Sequence, residues 1–253
     1  MASLPDPTSG EAVRWAMFLD IDGTLVDIAI TPNAVTVPPM LPTILDGWQF
    51  RLRGALALIS GRTLSQIDSL FHPQHYDAAG SHGQEWRQGG LSLLAVSDRS
   101  GEIAAVTEFA RRLVEECPGL ALERKTYSLV VHYRAAPDKR PDAERIAENI
   151  AARLGPGFRC LNGKAVVEIL PDGTDKAAAV SRFMNCAAYR GRQPVFAGDD
   201  ISDEVCFDLV NQMGGVSIHV GNNPSTKAMA RLPSPTSLRE WLASAVIPRP
   251  ARL

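Results

Sequence analysis

Residues 15–24, with the sequence WAMFLDIDGT, place five consecutive apolar side chains directly before two aspartates. A continuous apolar run of this length is typical of a strand that is covered on both faces, as in a parallel sheet. Asp20 and Asp22 follow two residues apart, and Gly23 leaves the backbone free to turn. The sequence therefore predicts two carboxylates that converge on one small volume at the carboxyl end of a buried strand.

The pattern of this first strand recurs along the chain. Apolar runs that end in a polar residue or a glycine lie at 55–60, 194–199 and 216–221. Helical segments are predicted to follow at 64–71, 176–185 and 203–212. This alternation indicates an α/β fold with a mainly parallel sheet, in which ligands bind beyond the carboxyl ends of the strands.

The middle of the chain has a different pattern, with two amphipathic helices and several partly alternating strands. The helices are predicted at 102–116 and 141–154, and the strands at 120–125, 127–134 and 165–170. These elements suggest a separate α+β module that is inserted into the α/β domain. We place the module at 84–171 and the α/β domain at 1–83 and 172–253, with hinges at 80–83 and 171–173.

Composition argues against several classes of partner. The 253 residues include 26 Lys plus Arg and 28 Asp plus Glu, so the formal net charge is −2. This balance argues against a nucleic-acid or acidic-membrane partner, and no apolar run reaches the ~18 residues that span a bilayer. The amino-terminal residues do not resemble a secretory signal, and the four cysteines form no CxxC pair. We expect a cytoplasmic protein that acts on a small molecule, and we expect it to be a monomer.

The pair Asp20 and Asp22 has two interpretations. Two converging carboxylates suit Mg²⁺, which takes oxygen ligands, and they suit a reaction in which one carboxylate attacks phosphorus while the other transfers protons. Asp-Gly is also a common turn signal, so the pair taken alone leaves open a turn without chemistry.

Four motifs in chain order resemble those of the phosphatases of the haloacid dehalogenase superfamily. They are DIDGT at 20–24, LISGR at 58–62, Lys176 in PDGTDKAAAV, and Gly198-Asp199-Asp200 followed by Asp203. The resemblance implies a Rossmann-like α/β core with a mainly parallel sheet, and it implies that the inserted module is a C2-type cap. It also implies Mg²⁺ as the cofactor.

The resemblance gives each motif a role. Asp20 would be the nucleophile that forms an aspartyl-phosphate, and Asp22 would act as acid and base. Asp20, Asp22 through its backbone carbonyl, and Asp199 would bind Mg²⁺, while Asp203 would support metal-bound water. Lys176 would approach both the phosphate and the nucleophilic carboxylate.

Ser60, Gly61 and Arg62 form the predicted phosphate site together with Lys176. The Ser60 hydroxyl can donate to a phosphate oxygen, and Gly61 and Arg62 lie at a helix start, where free N–H groups favour an anion. Other interpretations stay open for single residues: Ser60 as a helix N-cap, Lys176 as a solvated lysine, and Asp203 as a helix-start carboxylate.

Longer stretches resemble the trehalose-6-phosphate phosphatase family from about residue 16 to residue 220. They are ALISGRTLSQI at 57–67, GSHG at 80–83, LERKTYSLVVHYR at 122–134, GKAVVEILPDGTDK at 163–176 and GDDISDE at 198–204. The chain departs from the family at Ser202, where Thr is usual, and in the helix-to-strand spacing of residues 46–53.

The cap residues carry the expected substrate specificity. In the resembling family, the positions that contact the sugar correspond to Glu123, Lys125, Arg134, Lys164 and Glu168. His82 either touches the substrate or stabilises the hinge. Alternate residues of a strand share a face, so Glu123 points with Lys125, and Lys164 points with Glu168 if that strand begins early. The alternative is a solvated sheet face with individually weak cross-strand ion pairs.

The resemblance implies a Mg²⁺-dependent phosphatase that converts trehalose 6-phosphate into trehalose and phosphate. Three alternatives stay open: a related phosphatase acting on sucrose phosphate or mannosylphosphoglycerate, a non-catalytic sugar-phosphate sensor, and a phosphomutase. The presence of Asp20, Asp22, Lys176 and Asp199 argues against the sensor, which needs no nucleophile.

Overall fold

A computed structural model describes residues 3–29, 34–71, 76–94, 98–173 and 175–247. The chain forms two compact units. Unit 1 comprises Met1–Leu93 and Lys176–Leu253, and unit 2 comprises Leu94–Asp175.

The described elements follow one another in this order: β1 (Trp15–Leu19), α1 (Leu41–Arg51), β2 (Leu56–Ile59), α2 (Leu64–Leu70), β3 (Asp77–Gly80), β4 (Glu85–Gln88), β5 (Leu91–Leu94), α3 (Ser100–Glu115), β6 (Ala121–Arg124), β7 (Leu129–His132), α4 (Arg140–Leu154), β8 (Phe158–Gly163), β9 (Val166–Pro171), α5 (Lys176–Met184), β10 (Gln193–Gly198), α6 (Glu204–Gln212), β11 (Val216–Val220), β12 (Ala230–Leu232) and α7 (Pro235–Val246).

Unit 1 is built on an eight-stranded sheet with the order β12-β11-β10-β1-β2-β3-β4-β5. The strands from β12 to β3 are parallel, and β4 is antiparallel to β3. Every residue of β1 is buried, as its unbroken apolar sequence predicts for a central strand. Asp20, Ser60 and Asp199 follow β1, β2 and β10 at or near their carboxyl ends, so the parallel order gathers them at one edge of the sheet.

Helices cover both faces of the large sheet. Trp15 stacks between α1 and α7, with ring centroids 6.0 Å from Trp48 and 5.9 Å from Trp241. Phe18 is three residues further along β1 and therefore points to the other face, where it packs against Phe183 of α5 at 6.1 Å. This layering is the predicted α/β fold, and the fold prediction is confirmed.

Unit 2 is a four-stranded antiparallel sheet with the order β6-β7-β9-β8. Its hydrophobic core joins β7 and β9 to the buried stripes of α3 and α4, through residues such as Val131, Ile169, Ile103 and Ile146. Because side chains alternate along a strand, the residues between the core positions of β7 and β9 face away from the helices. Glu168 is one of them.

Two details differ from the sequence expectation. The sequence places the inserted module at 84–171, whereas β4 and β5 extend the large sheet of unit 1. Arg87 on β4 explains this position, because its Nη1 lies 2.7 Å from Asp68 Oδ1 on α2. The second detail is the start of β9, which is Val166, so Lys164 lies in the preceding turn and the condition for pairing it with Glu168 on one strand is not met. The domain bounds themselves stay a prediction.

The four cysteines are free thiols. Among the described residues, no helix combines the length and the apolar character that crossing a membrane requires.

Candidate active site

The loop after β1 holds Asp20 in place through backbone hydrogen bonds. Asp20 N donates to Ala197 O of β10 at 3.0 Å, which continues the parallel pairing for one residue beyond the strand. The N–H groups of Leu25 and Val26 both donate to Ile21 O, at 2.9 and 3.0 Å, and close the loop. The nucleophile candidate therefore lies at the start of a tight turn that backbone hydrogen bonds hold in place.

Position 23 of this turn accepts only glycine. Its φ is +82°, and a Cβ placed there would lie 2.1 Å from Asp199 Oδ2. Gly198 has a similar constraint, since its Cβ would lie 2.4 Å from Asp203 Cγ. The two glycines allow three acidic segments to approach more closely than side chains would permit.

Lys176 joins two of the acidic segments. Its Nζ donates to Asp20 Oδ1 and to Asp203 Oδ1, both at 2.7 Å, and all three side chains are at most 5% exposed. The other oxygen of Asp203 accepts from the backbone N–H groups of Asp199 and Asp200, both at 3.0 Å. Asp203 thus fixes both the lysine and the loop that carries Asp199.

The charges of this cluster act on one another. Burial opposes the charged form of Lys176, but the carboxylates of Asp20 and Asp203 outweigh burial and raise the pKa of Lys176 well above its usual range. Burial raises the pKa of Asp20 well above its usual range; Lys176 opposes this shift, and Asp203 and Asp199 add to it. A cation bound beside Asp20 would favour its ionised, nucleophilic form.

The cluster fits a divalent cation. Asp20, Asp199 and Asp203 can each bring one carboxylate oxygen within 4.8 Å of the others. With all three carboxylates ionised, the one ammonium leaves a formal charge of −2 in a cluster where Asp20, Asp203 and Lys176 are buried and Asp199 is partly buried. Hard oxygen ligands and surplus negative charge are what Mg²⁺ and similar ions require.

Asp22 has a different partner. Its two carboxylate oxygens accept from Arg62 Nε at 2.6 Å and from Arg62 Nη2 at 2.7 Å. The Asp22 side chain is 37% exposed, whereas that of Asp20 is 5% exposed. The structure therefore separates the two aspartates: Asp20 belongs to the acidic cluster, and the Asp22 carboxylate contacts the guanidinium of Arg62.

The loop after β2 places Ser60 and Arg62. Ser60 Oγ accepts from Arg62 N at 3.1 Å, so the serine is 1% exposed and turned towards its own loop. Thr63 caps α2 in a reciprocal capping box with Gln66, at 3.2 and 2.9 Å. Leu64 N donates to Glu85 Oε2 at 3.2 Å. The N–H groups of residues 62, 63, 64 and 66 are thus bonded within the protein, and the phosphate-binding role of Ser60, Gly61 and Arg62 stays a prediction.

His82 packs on the same loop. Ser81 and His82 adopt positive φ values of 49° and 54°, an uncommon conformation outside glycine. A Cβ at Gly61 would lie 2.6 Å from His82 Nε2, so the imidazole lies directly over the glycine. Because His82 contacts the predicted phosphate loop, the structure favours a role for His82 in stabilising that loop, in addition to any contact with substrate.

Unit 2 carries a polar cluster on the sheet face away from its helices. Lys125 Nζ lies 3.1 Å from Glu168 Oε1, and Ser128 Oγ donates to the same oxygen at 2.5 Å. Glu123 Oε2 lies 2.8 Å from His132 Nε2, and this hydrogen bond lowers the pKa of Glu123. These residues form polar pairs within one sheet, as both the sugar-binding and the ion-pair interpretations allow.

Arg134 contacts the turn that carries Lys164. Arg134 Nη2 donates to the backbone carbonyl of Lys164 at 3.0 Å, and Lys164 is exposed. Ala165 has a positive φ of 64°, which completes the turn between β8 and β9. The contact fixes the turn that carries the lysine.

The family model described as trehalose-phosphatase matches residues 18–236. A Sinorhizobium fredii (strain NBRC 101917 / NGR234) protein named probable trehalose-phosphate phosphatase is 40% identical over 238 residues, which are 91% of this chain and 87% of that protein. The chain belongs to the trehalose-phosphatase family. Trehalose-6-phosphate phosphatase of Escherichia coli (strain K12) is 37% identical over 236 residues, 91% of this chain and 86% of that one.

Solved structures agree with this family. A structure described as a trehalose-6-phosphate phosphatase related protein has a TM-score of 0.77 and 25% identity, covering 90% of this chain and 95% of its own. The C-terminal domain of C. albicans trehalose-6-phosphate phosphatase matches in fold with a TM-score of 0.80 and 22% identity, covering 96% and 99%.

Membership of the trehalose-phosphatase family confirms the predicted enzyme class. The protein is a phosphatase that hydrolyses a phosphate monoester. The family suggests a divalent metal, and the acidic cluster of Asp20, Asp199 and Asp203 is consistent with one. The roles of individual residues stay predictions. Sequence reasoning missed Glu85, which accepts from Ser81 Oγ at 2.8 Å as well as from Leu64 N, and Ser128, which donates to Glu168. Ser128 opens an apolar strand run, a signal that could have identified it.

Proposed function

We propose that this member of the trehalose-phosphatase family hydrolyses trehalose 6-phosphate to trehalose and inorganic phosphate. One observation carries the chemical part of the proposal: the buried Lys176 lies 2.7 Å from the buried Asp20, in a cluster that includes Asp199 and Asp203. The lysine and a bound cation can balance negative charge while the carboxylate of Asp20 approaches a dianionic phosphate.

The proposed reaction has two steps. A carboxylate oxygen of Asp20 attacks phosphorus, the ester P–O bond breaks, and Asp22 donates a proton to the departing sugar oxygen. Water then attacks phosphorus of the aspartyl-phosphate, Asp22 accepts a proton from it, and phosphate leaves while the Asp20 carboxylate is restored. Asp22 suits proton transfer because it is the more exposed aspartate and lies outside the acidic cluster.

Mg²⁺ is the cation that we propose for the cluster. Asp20 and Asp199 are its carboxylate ligands in this proposal, the backbone carbonyl of Asp22 is a third, and Asp203 holds the loop and orients water. When bound, Mg²⁺ supplies charge stabilisation to the phosphoryl oxygens. Ser60, Gly61, Arg62 and Lys176 are the proposed phosphate site, with Arg62 acting through its contact with Asp22.

Substrate choice is assigned to the cap, within bounds 84–171. The proposed sugar contacts in the cap are Glu123, Lys125, Arg134, Lys164 and Glu168, and His82 is a proposed sugar contact that lies outside these bounds. Carboxylates and ammonium groups in fixed pairs suit a neutral sugar, because a hydroxyl group donates to one member and accepts from the other. We also propose that the protein is a cytoplasmic monomer; free cysteines accord with a reducing compartment, and light scattering after size exclusion tests the oligomeric state.

A substrate panel tests the proposal. Phosphate release is measured with Mg²⁺ and with EDTA on trehalose 6-phosphate, sucrose 6-phosphate, glucose 6-phosphate and a small aryl phosphate. We expect an EDTA-sensitive preference for trehalose 6-phosphate. Activity confined to the other substrates would retain the core chemistry and overturn the sugar assignment.

The nucleophile is tested separately with Asp20→Asn, which we expect to abolish turnover while the protein stays folded. Asp27→Asn is the matched control, because Asp27 lies close in sequence but its side chain is 70% exposed and pairs with Arg239 at 3.3 Å. Wild-type turnover in Asp20→Asn would refute the mechanism.

A further inference from the structure

A cationic cavity lies at the edge of the large sheet opposite the acidic cluster. It has a volume of about 430 Å³. Its lining residues are Val13, Arg14, Arg51, Arg53, Gly191 and Arg192. The arginines come from three segments that precede β1, β2 and β10, so they lie at the amino ends of parallel strands. Roughly 15 Å of strand separates this arginine pocket from the carboxyl ends of the same strands.

Two of the arginines are held by backbone carbonyls. Arg192 Nη1 donates to Val13 O at 2.8 Å, and Arg51 Nη2 donates to Ser9 O at 2.9 Å. Carbonyl oxygens carry no net charge, so each guanidinium keeps its formal charge in a fixed position. Arg51 Nε is buried and makes no hydrogen bond within the part of the chain that the structure describes.

Acidic residues lie only at the margin of the arginine pocket, so they compensate little of its positive charge. Glu11 lies 3.6 Å from Arg14, and both side chains are at least 75% exposed, so water screens the pair. The pKa of Asp6 is lowered by hydrogen bonds from Thr8 and, more weakly, by the charge of Arg51. Neither acid lines the cavity. Over the described ranges, no ion pair joins Arg51, Arg53 or Arg192 to a carboxylate.

Arg53 occupies a backbone position that normally takes glycine. It follows α1 with a φ of 53°, and its N–H donates to Phe50 O at 3.1 Å. Left-handed residues after a helix are usually glycine or asparagine, because other side chains strain the backbone there. An arginine at this position keeps a guanidinium at the cavity at a conformational cost, which points to a use for that charge.

We propose that the arginine pocket binds a small phosphorylated anion, at a site distinct from the acidic cluster. The planar guanidinium fork matches the oxygens of a phosphoryl group in geometry and charge. Four guanidiniums favour a group with two or more negative charges over a monovalent anion. The cavity volume lies within the range of small-molecule sites.

Binding has a structural consequence that can be measured. The four arginines belong to three separate segments of unit 1, so one bound anion would connect all three. A ligand that binds only the folded state stabilises it by an amount that grows with the logarithm of ligand concentration over the dissociation constant. The anion should therefore raise the melting temperature of the protein.

The test uses inorganic pyrophosphate as the probe, in EDTA so that no divalent metal is bound at the acidic cluster. Calorimetric titration measures affinity, and thermal unfolding measures the shift in Tm. We expect wild type to bind pyrophosphate and gain several degrees in Tm. Arg53→Gly should bind at least tenfold more weakly, yet melt at the same or a higher temperature without ligand, since glycine relieves the backbone strain. Arg14→Gln should weaken binding without changing phosphatase activity.

Arg112→Gln is the matched control for Arg14→Gln. Arg112 is 73% exposed against 75% for Arg14, and it also pairs with a glutamate one helical turn away. Equal pyrophosphate affinity in wild type and in the Arg53→Gly, Arg14→Gln double variant would overturn the proposal. So would equal weakening by Arg112→Gln, which would reveal a general charge effect, or loss of the Tm shift in Ser60→Ala, which would place the anion in the active site.

Inorganic phosphate and glucose 6-phosphate form two further arms of the titration. Tighter binding of pyrophosphate assigns the pocket to a diphosphate group, and tighter binding of glucose 6-phosphate assigns it to a phosphate ester. If the double variant bound inorganic phosphate and glucose 6-phosphate as tightly as wild type does, that result would again contradict a site formed by these arginines.

Discussion

Asp20 and Asp22 are two residues apart and have different cationic partners. Asp20 faces a lysine, whose compact ammonium also reaches Asp203, while Asp22 faces a planar guanidinium that contacts both of its oxygens. A lysine can move between oxygens of neighbouring groups, whereas a two-pronged guanidinium fixes the plane of one carboxylate. The lysine contact of Asp20 therefore suits the proposed nucleophile, which must lie among several charges. The guanidinium contact of Asp22 suits the proposed acid and base, whose carboxylate must be held in one orientation.

Arg62→Lys tests whether aiming Asp22 is the function of Arg62. Lysine keeps the charge but loses the two parallel hydrogen bonds, so we expect kcat to fall at least roughly tenfold while KM changes little. Steady-state kinetics on trehalose 6-phosphate measures both. The control is Arg87→Lys, because Arg87 is similarly buried and similarly paired, with Asp68, away from the site.

The opposite kinetic pattern would contradict this assignment of Arg62. A higher KM with an unchanged kcat would show that the guanidinium binds the phosphate in the enzyme–substrate complex. It would then have to leave Asp22 when substrate binds.

Gly23→Ala tests the close approach between the backbone of residue 23 and the carboxylate of Asp199. The added methyl group meets Asp199 Oδ2, so we expect displacement of that carboxylate and at least a tenfold higher Mg²⁺ concentration for half-maximal activity. Gly214→Ala is the matched control, since Gly214 also has a positive φ, of 69°, but no atom lies within 4 Å of its Cβ position. Both variants should lose about 1 kcal/mol of stability from backbone strain. An unchanged Mg²⁺ requirement in Gly23→Ala would refute the steric argument.

The start of α2 supports the site through its N-cap residue, Thr63. Thr63 closes a capping box immediately after Arg62, so loosening the cap frees the turn that carries Ser60 and Arg62. Thr63→Ala should cost about 1 kcal/mol of unfolding free energy and should also reduce kcat. Ser234→Ala removes the equivalent side-chain bond at α7, where Ser234 Oγ accepts from Ser237 N at 3.2 Å. It should cost similar stability and leave kcat unchanged, as measured by urea unfolding and phosphate release. Equal losses of activity would show that stability alone is responsible.

Strands and their polar ends could be predicted from sequence, because a central parallel strand has an unbroken apolar run. β1 and β11 have the predicted bounds, and Asp20 and Asp199 lie at the predicted edge.

The partner of Arg62 could not be predicted, because a long side chain at a loop reaches several groups and the choice depends on the folded surroundings. The sheet to which 85–94 belongs was equally open, since a short alternating hairpin fits either unit; Arg87 and Asp68 favour the large sheet only once α2 is in place.

Each of the two units has its own hydrophobic core. The acidic cluster lies wholly in unit 1, whereas the polar pairs of Glu123 and Glu168 lie wholly in unit 2. Chemistry and sugar selectivity are thus assigned to segments that fold around separate cores. In the proposed mechanism, a substitution in unit 2 therefore leaves the proposed nucleophile and cation site intact.

Metal binding should therefore stabilise the two units unequally. We expect saturating Mg²⁺ to slow amide hydrogen exchange around the acidic cluster, near Asp20 and Asp199, and to leave β7 and β9 of unit 2 unchanged. At a concentration of 100 times the dissociation constant, the gain for unit 1 is about 2.7 kcal/mol. Asp203→Asn is the control, since loss of a charge that fixes Lys176 and the Asp199 loop should remove the protection. Equal protection of both units by Mg²⁺ would show that the cation acts on the whole chain, and it would contradict a metal site confined to unit 1.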